Sequence, residues 1–124
     1  MEHEELTHRI IGCAIEVHRE LGPGFLESVY EAAMAIALRQ ARLGFERQKV
    51  VPILYLGEPV GEHRLDLLVE KQIVVELKAA RALEDIHFAT TRSYLKACGL
   101  RHGLLLNFAT MPFIMKRVIF DPPS

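Results

Sequence analysis

The chain predicts an α/β (α+β) fold with a mixed central sheet flanked by helices, on three features of its 124 residues. Apolar residues recur at three- and four-residue steps up to Leu43, the step changes to two after Gly44, and a helical stretch returns before two final strand-like runs.

In chain order, Leu6, Ile10, Cys13, Ala14, Val17 and Leu21 share one face of a helix over residues 6–21, which Gly22-Pro23-Gly24 stops. A second, alanine-rich helix over 26–43 carries Val29, Ala33, Ile36, Ala37 and Gln40 at helical spacing and ends before Gly44. Phe45 with 49–56, and then 61–69, are rich in Val, Ile, Leu and Tyr and read as strands parted by Gly57-Glu58-Pro59. A third strand covers 73–79, and a helix over 83–98 is closed by Gly99. Strands over 102–108 and 114–120 flank a turn holding Met111-Pro112, and Pro122-Pro123-Ser124 forms a frayed tail.

A mass of 14.1 kDa suits one domain over residues 1–124, large enough to enclose a core without disulfides or a structural metal. Half the residues are apolar, and nothing reads as a linker, repeat or disordered segment. Runs such as 73–75 and 103–106 fall far short of the ~20 apolar residues a membrane span needs. The acidic start Met1-Glu2-His3-Glu4-Glu5 is unlike a signal peptide, so a soluble, cytoplasmic protein without a membrane partner is expected. Cys13 and Cys98 lack zinc-site spacing and are expected reduced, buried and without chemical role. A net charge of −1 counts against tight nonspecific nucleic-acid binding, although a local Lys/Arg groove can still track phosphates.

The chemistry-bearing residues lie on the second and third strands. Arg64, Asp66 and Leu68 alternate with His63, Leu65, Leu67 and Val69, while Val74, Glu76 and Lys78 alternate with Ile73, Val75, Leu77 and Ala79. A hairpin closed by Glu70-Lys71-Gln72 sets Val69 opposite Ile73, Asp66 opposite Glu76 and Arg64 opposite Lys78. Carboxylates at the ~5 Å spacing of cross-strand neighbours repel each other and call for a cation. Mg²⁺ or Mn²⁺ suits such oxygen donors, polarises phosphates and activates water, and Lys78 would point at that water. The other reading of these four charges is a solvated face of cross-strand ion pairs. Against it, Val74, Val75 and Leu77 make the strand of Glu76 look buried on both sides, where a carboxylate and a lysine are out of place.

The stretches Arg64-Leu65-Asp66-Leu67-Leu68-Val69 and Val74-Val75-Glu76-Leu77-Lys78-Ala79 resemble the D…ExK signature of the PD-(D/E)xK, restriction-endonuclease-like nuclease superfamily. Gly24-Phe25-Leu26-Glu27-Ser28-Val29-Tyr30 resembles the motif that names the GxxExxY proteins, a prokaryotic branch of it. Tyr55-Leu56-Gly57, Tyr94-Leu95-Lys96-Ala97 and Leu104-Leu105-Leu106-Asn107-Phe108 are similar to further family segments and follow in the family's order.

The resemblance implies an αβββαβ core, Asp66 and Glu76 as metal ligands with the Leu77 carbonyl as a third, and Lys78 as the catalytic lysine. Glu27 matches an acidic residue that reaches the metal through water, or else is a solvated glutamate favoured by the helix N-terminus. Tyr30 reads as core or groove wall. Relatives carry a glutamine where Thr90 stands in His87-Phe88-Ala89-Thr90-Thr91-Arg92-Ser93-Tyr94-Leu95, and threonine offers no amide donor. Either the site tolerates the change, with Arg92 or Tyr94 contacting phosphate, or the branch is impaired as a nuclease. His87 is a substrate contact or a satisfied surface histidine.

The expected activity is Mg²⁺- or Mn²⁺-dependent hydrolysis of DNA or RNA phosphodiesters, with a two-fold homodimer gripping the substrate. The alternatives are a noncatalytic nucleic-acid- or protein-binding module of the same fold, and a scaffold whose apolar surface, suggested by a mean hydropathy of +0.15, serves self-association.

Overall fold

A computed structural model describes residues 3–122; the acidic start at Met1 and Glu2 and the end of the tail at Pro123 and Ser124 lie outside the described residues. The elements run α1 (Glu4–Leu21), α2 (Glu27–Gln40), β1 (Phe45–Tyr55), β2 (Glu58–Val69), β3 (Ile73–Lys78), α3 (Asp85–Cys98), β4 (His102–Asn107) and β5 (Ile114–Ile119). They build a mixed five-stranded sheet in the order β1-β2-β3-β4-β5. Only β3 and β4 are parallel, because α3 carries the chain back between them; the other neighbours are antiparallel.

Helices cover both faces of this sheet. On one, Ile10, Cys13, Ala14 and Val17 of α1 and Tyr30, Met34 and Leu38 of α2 pack on Leu67, Val69, Ile73, Val75, Leu77, Leu104 and Leu106. On the other, Leu95 of α3 packs with Val51, Leu65, Leu68, Val74, Leu105 and Val118. The β3 side chains thus enter both cores in alternation, and the strand is buried along its length apart from half-buried Lys78. Among the described residues no helix is long and apolar enough to cross a membrane. Both cysteines are free, Cys13 buried and Cys98 only half-buried, against the expectation for the latter.

The inward stripe of α1 is the expected one, with Leu6 and Leu21 at its partly buried ends. That of α2 is not. Val29 and Ile36 are exposed at 38% and 52% and Gln40 faces solvent, while Tyr30, Met34 and Leu38 go inward with Ala33 and Ala37 at their flank. This helix is apolar on more than one side, and the stripe with the larger side chains takes the core. It also stops at Gln40 rather than Leu43: Arg42 turns left-handed at φ 60, and the Leu43 N–H returns to the Leu38 carbonyl at 2.9 Å.

The first hairpin is longer than expected, since only Leu56 and Gly57 form its turn. Their φ of 51° and 82° are the pair of positive values that a two-residue type I′ loop uses. Glu58 already pairs with Tyr55, and Pro59 with Leu54 across a register shift.

Strand alternation also breaks at one place. Leu65 and Leu67 enter opposite cores, as do Phe45 and Val51, although residues an even number of steps apart share a face in a regular strand. The expected grouping of Leu65 with Leu67, and of Asp66 with Leu68 on one face, is therefore corrected. The break lies between the pairs Arg47↔Leu67 and Lys49↔Leu65, where Gln48 takes φ 51 inside β1 and Asp66 stands across from it. Both strands turn over together at this point.

Candidate metal and active site

The β2–β3 ladder ends at Leu67↔Val75, and the next residues on each strand are Asp66 and Glu76. Here side chains replace the backbone rungs. The Asp66 N–H donates to Glu76 Oε1 at 3.0 Å, and the Leu77 N–H donates to Asp66 Oδ2 at 2.9 Å. Each carboxylate is thus fixed by the opposite strand's backbone, and the two are brought together as expected. Arg64 is not brought opposite Lys78: β2 has left β3 by that point and Arg64, exposed, pairs with Val50 of β1.

Glu76 is only 3% exposed. Burial first, and the charge of Asp66 second, push its carboxyl up to about 9. Burial also raises Asp66, against the stabilising Leu77 N–H. The charge of Lys78 acts on both and lowers both, yet Lys78 forms no salt bridge among the described residues. The strands have parted at two crowded carboxyl groups whose charged forms call for a positive charge beside them.

This donor set fits a hard divalent ion. Asp66 Oδ1 and Glu76 Oε2 are not used in the backbone clasp. The N–H and C=O of one strand residue point to the same side, so the Leu77 carbonyl is directed toward β2 as well, beyond the last rung of the ladder. Among the described residues no three His, Cys, Asp or Glu side chains form a ready metal cluster, and an ion here would draw on the two carboxylates, the Leu77 carbonyl and waters.

Beside the pair lies an open cleft of about 370 Å³ lined by Glu27, Ser28, Glu31, Gln48 and Asp66. Glu27, the first residue of α2, reaches the end of β3, where its Oε2 accepts the Ala79 N–H at 3.2 Å. Its placement depends on Tyr30. The fully buried Tyr30 ring stacks on Phe108 at 4.6 Å, and its hydroxyl donates to the Gly22 carbonyl at 2.6 Å and accepts the Phe25 N–H at 3.3 Å. Tyr30 is therefore core, and it ties down the loop in which Gly22 and Gly24 hold φ of 67° and 116°. Tyr30→Phe leaves both partners wanting and is expected to cost about 1–3 kcal/mol in urea unfolding.

Sequence reasoning missed Glu31 and Gln48 of this cleft, and Arg47 beside them. Glu31, buried, accepts Gln48 Nε2 at 2.5 Å and Arg47 Nε at 3.1 Å, and Gln48 Nε2 also lies 3.4 Å from Asp66 Oδ1. One signal was available: Glu31 follows Glu27 by four residues and sits beside Tyr30 on the helix's inner side.

The α3 residues divide. His87 is committed to the helix start, its Nδ1 accepting the Glu84 N–H at 2.9 Å. Half-buried Thr90 and exposed Arg92 are not hydrogen-bonded to Asp66 or Glu76, while the neighbouring Thr91 hydroxyl donates to the His87 carbonyl at 2.8 Å. Tyr94, edge-on to His63 at 4.3 Å, feels the pair directly: after burial, the charges of Glu76 and Asp66 raise its hydroxyl. Asp66, Glu76, Leu77, Lys78 and Glu27 therefore converge with Tyr94 in their field, whereas Tyr30 and His87 have other engagements and Arg64 is exposed beside β1.

Among solved structures, the fold is similar to the crystal structure of SSO0001, with a TM-score of 0.61 at 16% identity over 77% of this chain. This chain spans 50% of the length of that one. No curated protein matches. The family model of the PD-(D/E)XK nuclease superfamily matches residues 4–118, nearly the whole chain and all the converging residues above. The chain belongs to the PD-(D/E)XK nuclease superfamily.

Proposed function

We propose that the protein is a Mg²⁺- or Mn²⁺-dependent nuclease that hydrolyses phosphodiester bonds of DNA or RNA. The observation that carries this reading is the clasp at the parting of β2 and β3, which fixes two buried carboxylates side by side. Burying such a pair costs free energy in the metal-free protein, and a cation that joins it would offset that cost, which supports the reading.

Asp66 and Glu76, with the Leu77 carbonyl, would hold the ion. Bound there, a divalent ion supplies Lewis-acid polarisation of a phosphate and a water of lowered pKa. Lys78, two residues beyond Glu76 and without a salt bridge among the described residues, orients the attacking water and stabilises charge developing on the phosphate. Glu27 steadies the end of β3 and shapes the outer side of the cleft. Tyr94 and Arg92 are the α3 residues we assign to the substrate. We also expect a cytoplasmic homodimer, and Leu54, Tyr55, Leu56 and Val60 leave an exposed apolar hairpin tip for such a contact.

The test is thermal unfolding with and without Mn²⁺. At about 100 times Kd the ion should add about 2.7 kcal/mol, several degrees in Tm, and Asp66→Asn should abolish that rise. An equal response of wild type and Asp66→Asn would remove the metal site. The second reading, a noncatalytic binding module, draws on Thr90 standing where an amide donor is expected, and it gains if the ion binds but no substrate is cut.

A further inference from the structure

Gln48 is the residue of the cleft with the most unusual backbone, a non-glycine at φ 51 inside a strand. Such a conformation persists where surrounding structure enforces it, and it clusters at functional sites. Its side chain shows what is gained. The neighbours of its carboxamide nitrogen are Glu31 Oε1 at 2.5 Å and Asp66 Oδ1 at 3.4 Å, both acceptor-only carboxylates, so the NH₂ end must face them.

Resting on the metal-site reading above, we propose that Gln48 is a positioning residue for Asp66, its carboxamide seated on buried Glu31 and holding Asp66 Oδ1 toward the cleft.

Glu31 is a firm seat because Arg47 Nε takes its other oxygen at 3.1 Å. Asp66 is then steered from both sides, the Leu77 N–H on Oδ2 and Gln48 on Oδ1. The choice of an amide has a chemical reason. A lysine at this place would neutralise Asp66, whereas a carboxamide orients it and leaves its full charge for a cation. The left-handed backbone belongs to the same device: it lies where β1 and β2 exchange faces, and that exchange leaves Asp66 on the wall of the cleft instead of in the register of Leu68.

The deciding variant is Gln48→Gly, because glycine adopts φ 51 without strain while the side chain that carries the carboxamide is removed. Metal-free Gln48→Gly is expected to melt at or above the wild-type temperature, yet to bind Mn²⁺ about 10–100-fold more weakly by calorimetry. Its crystal structure should show the Asp66 carboxylate turned from the cleft. Gln48→Asn, which keeps a carboxamide and tolerates the left-handed region, should recover part of the affinity. Wild-type affinity in Gln48→Gly with Asp66 in place would overturn the assignment. Should wild type itself fail to bind Mn²⁺, the nuclease reading falls, and the orientation of Asp66 in the Gln48→Gly crystal still decides whether Gln48 positions it.

Discussion

Lys78→Ala is expected to lower phosphodiester cleavage by about 10²–10⁴-fold while the Mn²⁺-induced rise in Tm stays close to that of wild type. The separation follows from the roles of neighbouring residues. Asp66 and Glu76 are locked by backbone N–H groups that do not involve Lys78, so removing the ammonium leaves the oxygens where they are. The charge of Lys78 nonetheless acts on both carboxylates, so it is a positive charge near the place where the proposal puts the phosphate and the attacking water. Retained cleavage in Lys78→Ala would take the lysine out of the chemistry, and a parallel loss of the Mn²⁺ response would make it part of the metal's support.

The metal-free protein is expected to lose stability steadily as pH rises from about 5 toward 9. Glu76 in the folded chain holds its proton up to about 9, against an ordinary 4.5. Between these values the folded state binds more protons than the unfolded one, so folding is favoured at the acidic end and weakened as pH climbs through the window. The steepest slope one such group can give is about 1.4 kcal/mol per pH unit. Glu76→Gln, which stays neutral, should flatten this dependence and be the more stable protein at pH 8 without metal. Mn²⁺ should offset the loss in wild type alone. Urea unfolding at several pH values measures all three, and a wild-type stability flat from pH 5 to 9 would contradict a Glu76 carboxyl raised by burial beside Asp66.

Much of this site was legible in the sequence because its logic is local. The spacing that sets Val69 opposite Ile73 fixes where Asp66 and Glu76 fall, and the apolar run around Glu76 announces a strand buried on both faces. What escaped depends on tertiary competition. Nothing in the sequence marks Gln48 as left-handed, since a non-glycine in that region is enforced from outside; the reversal of faces at Asp66 was therefore invisible, and with it the network of Glu31, Arg47 and Gln48. The inner side of α2 was misjudged for a related reason: Val29 and Ile36 compete with Tyr30, Met34 and Leu38, and only packing decides between them. Pairing of Arg64 with Lys78 failed because hairpin arithmetic assumes strands that stay together, and these part at Asp66 and Glu76.

The central claim meets its most direct test in a cleavage assay on single- and double-stranded DNA and RNA with Mg²⁺ or Mn²⁺, with wild type and Glu76→Ala purified in parallel. The account predicts metal-dependent cutting by wild type that Glu76→Ala loses. Cutting that persists in Glu76→Ala, or a wild type that binds Mn²⁺ and cuts none of the four substrates, would contradict it.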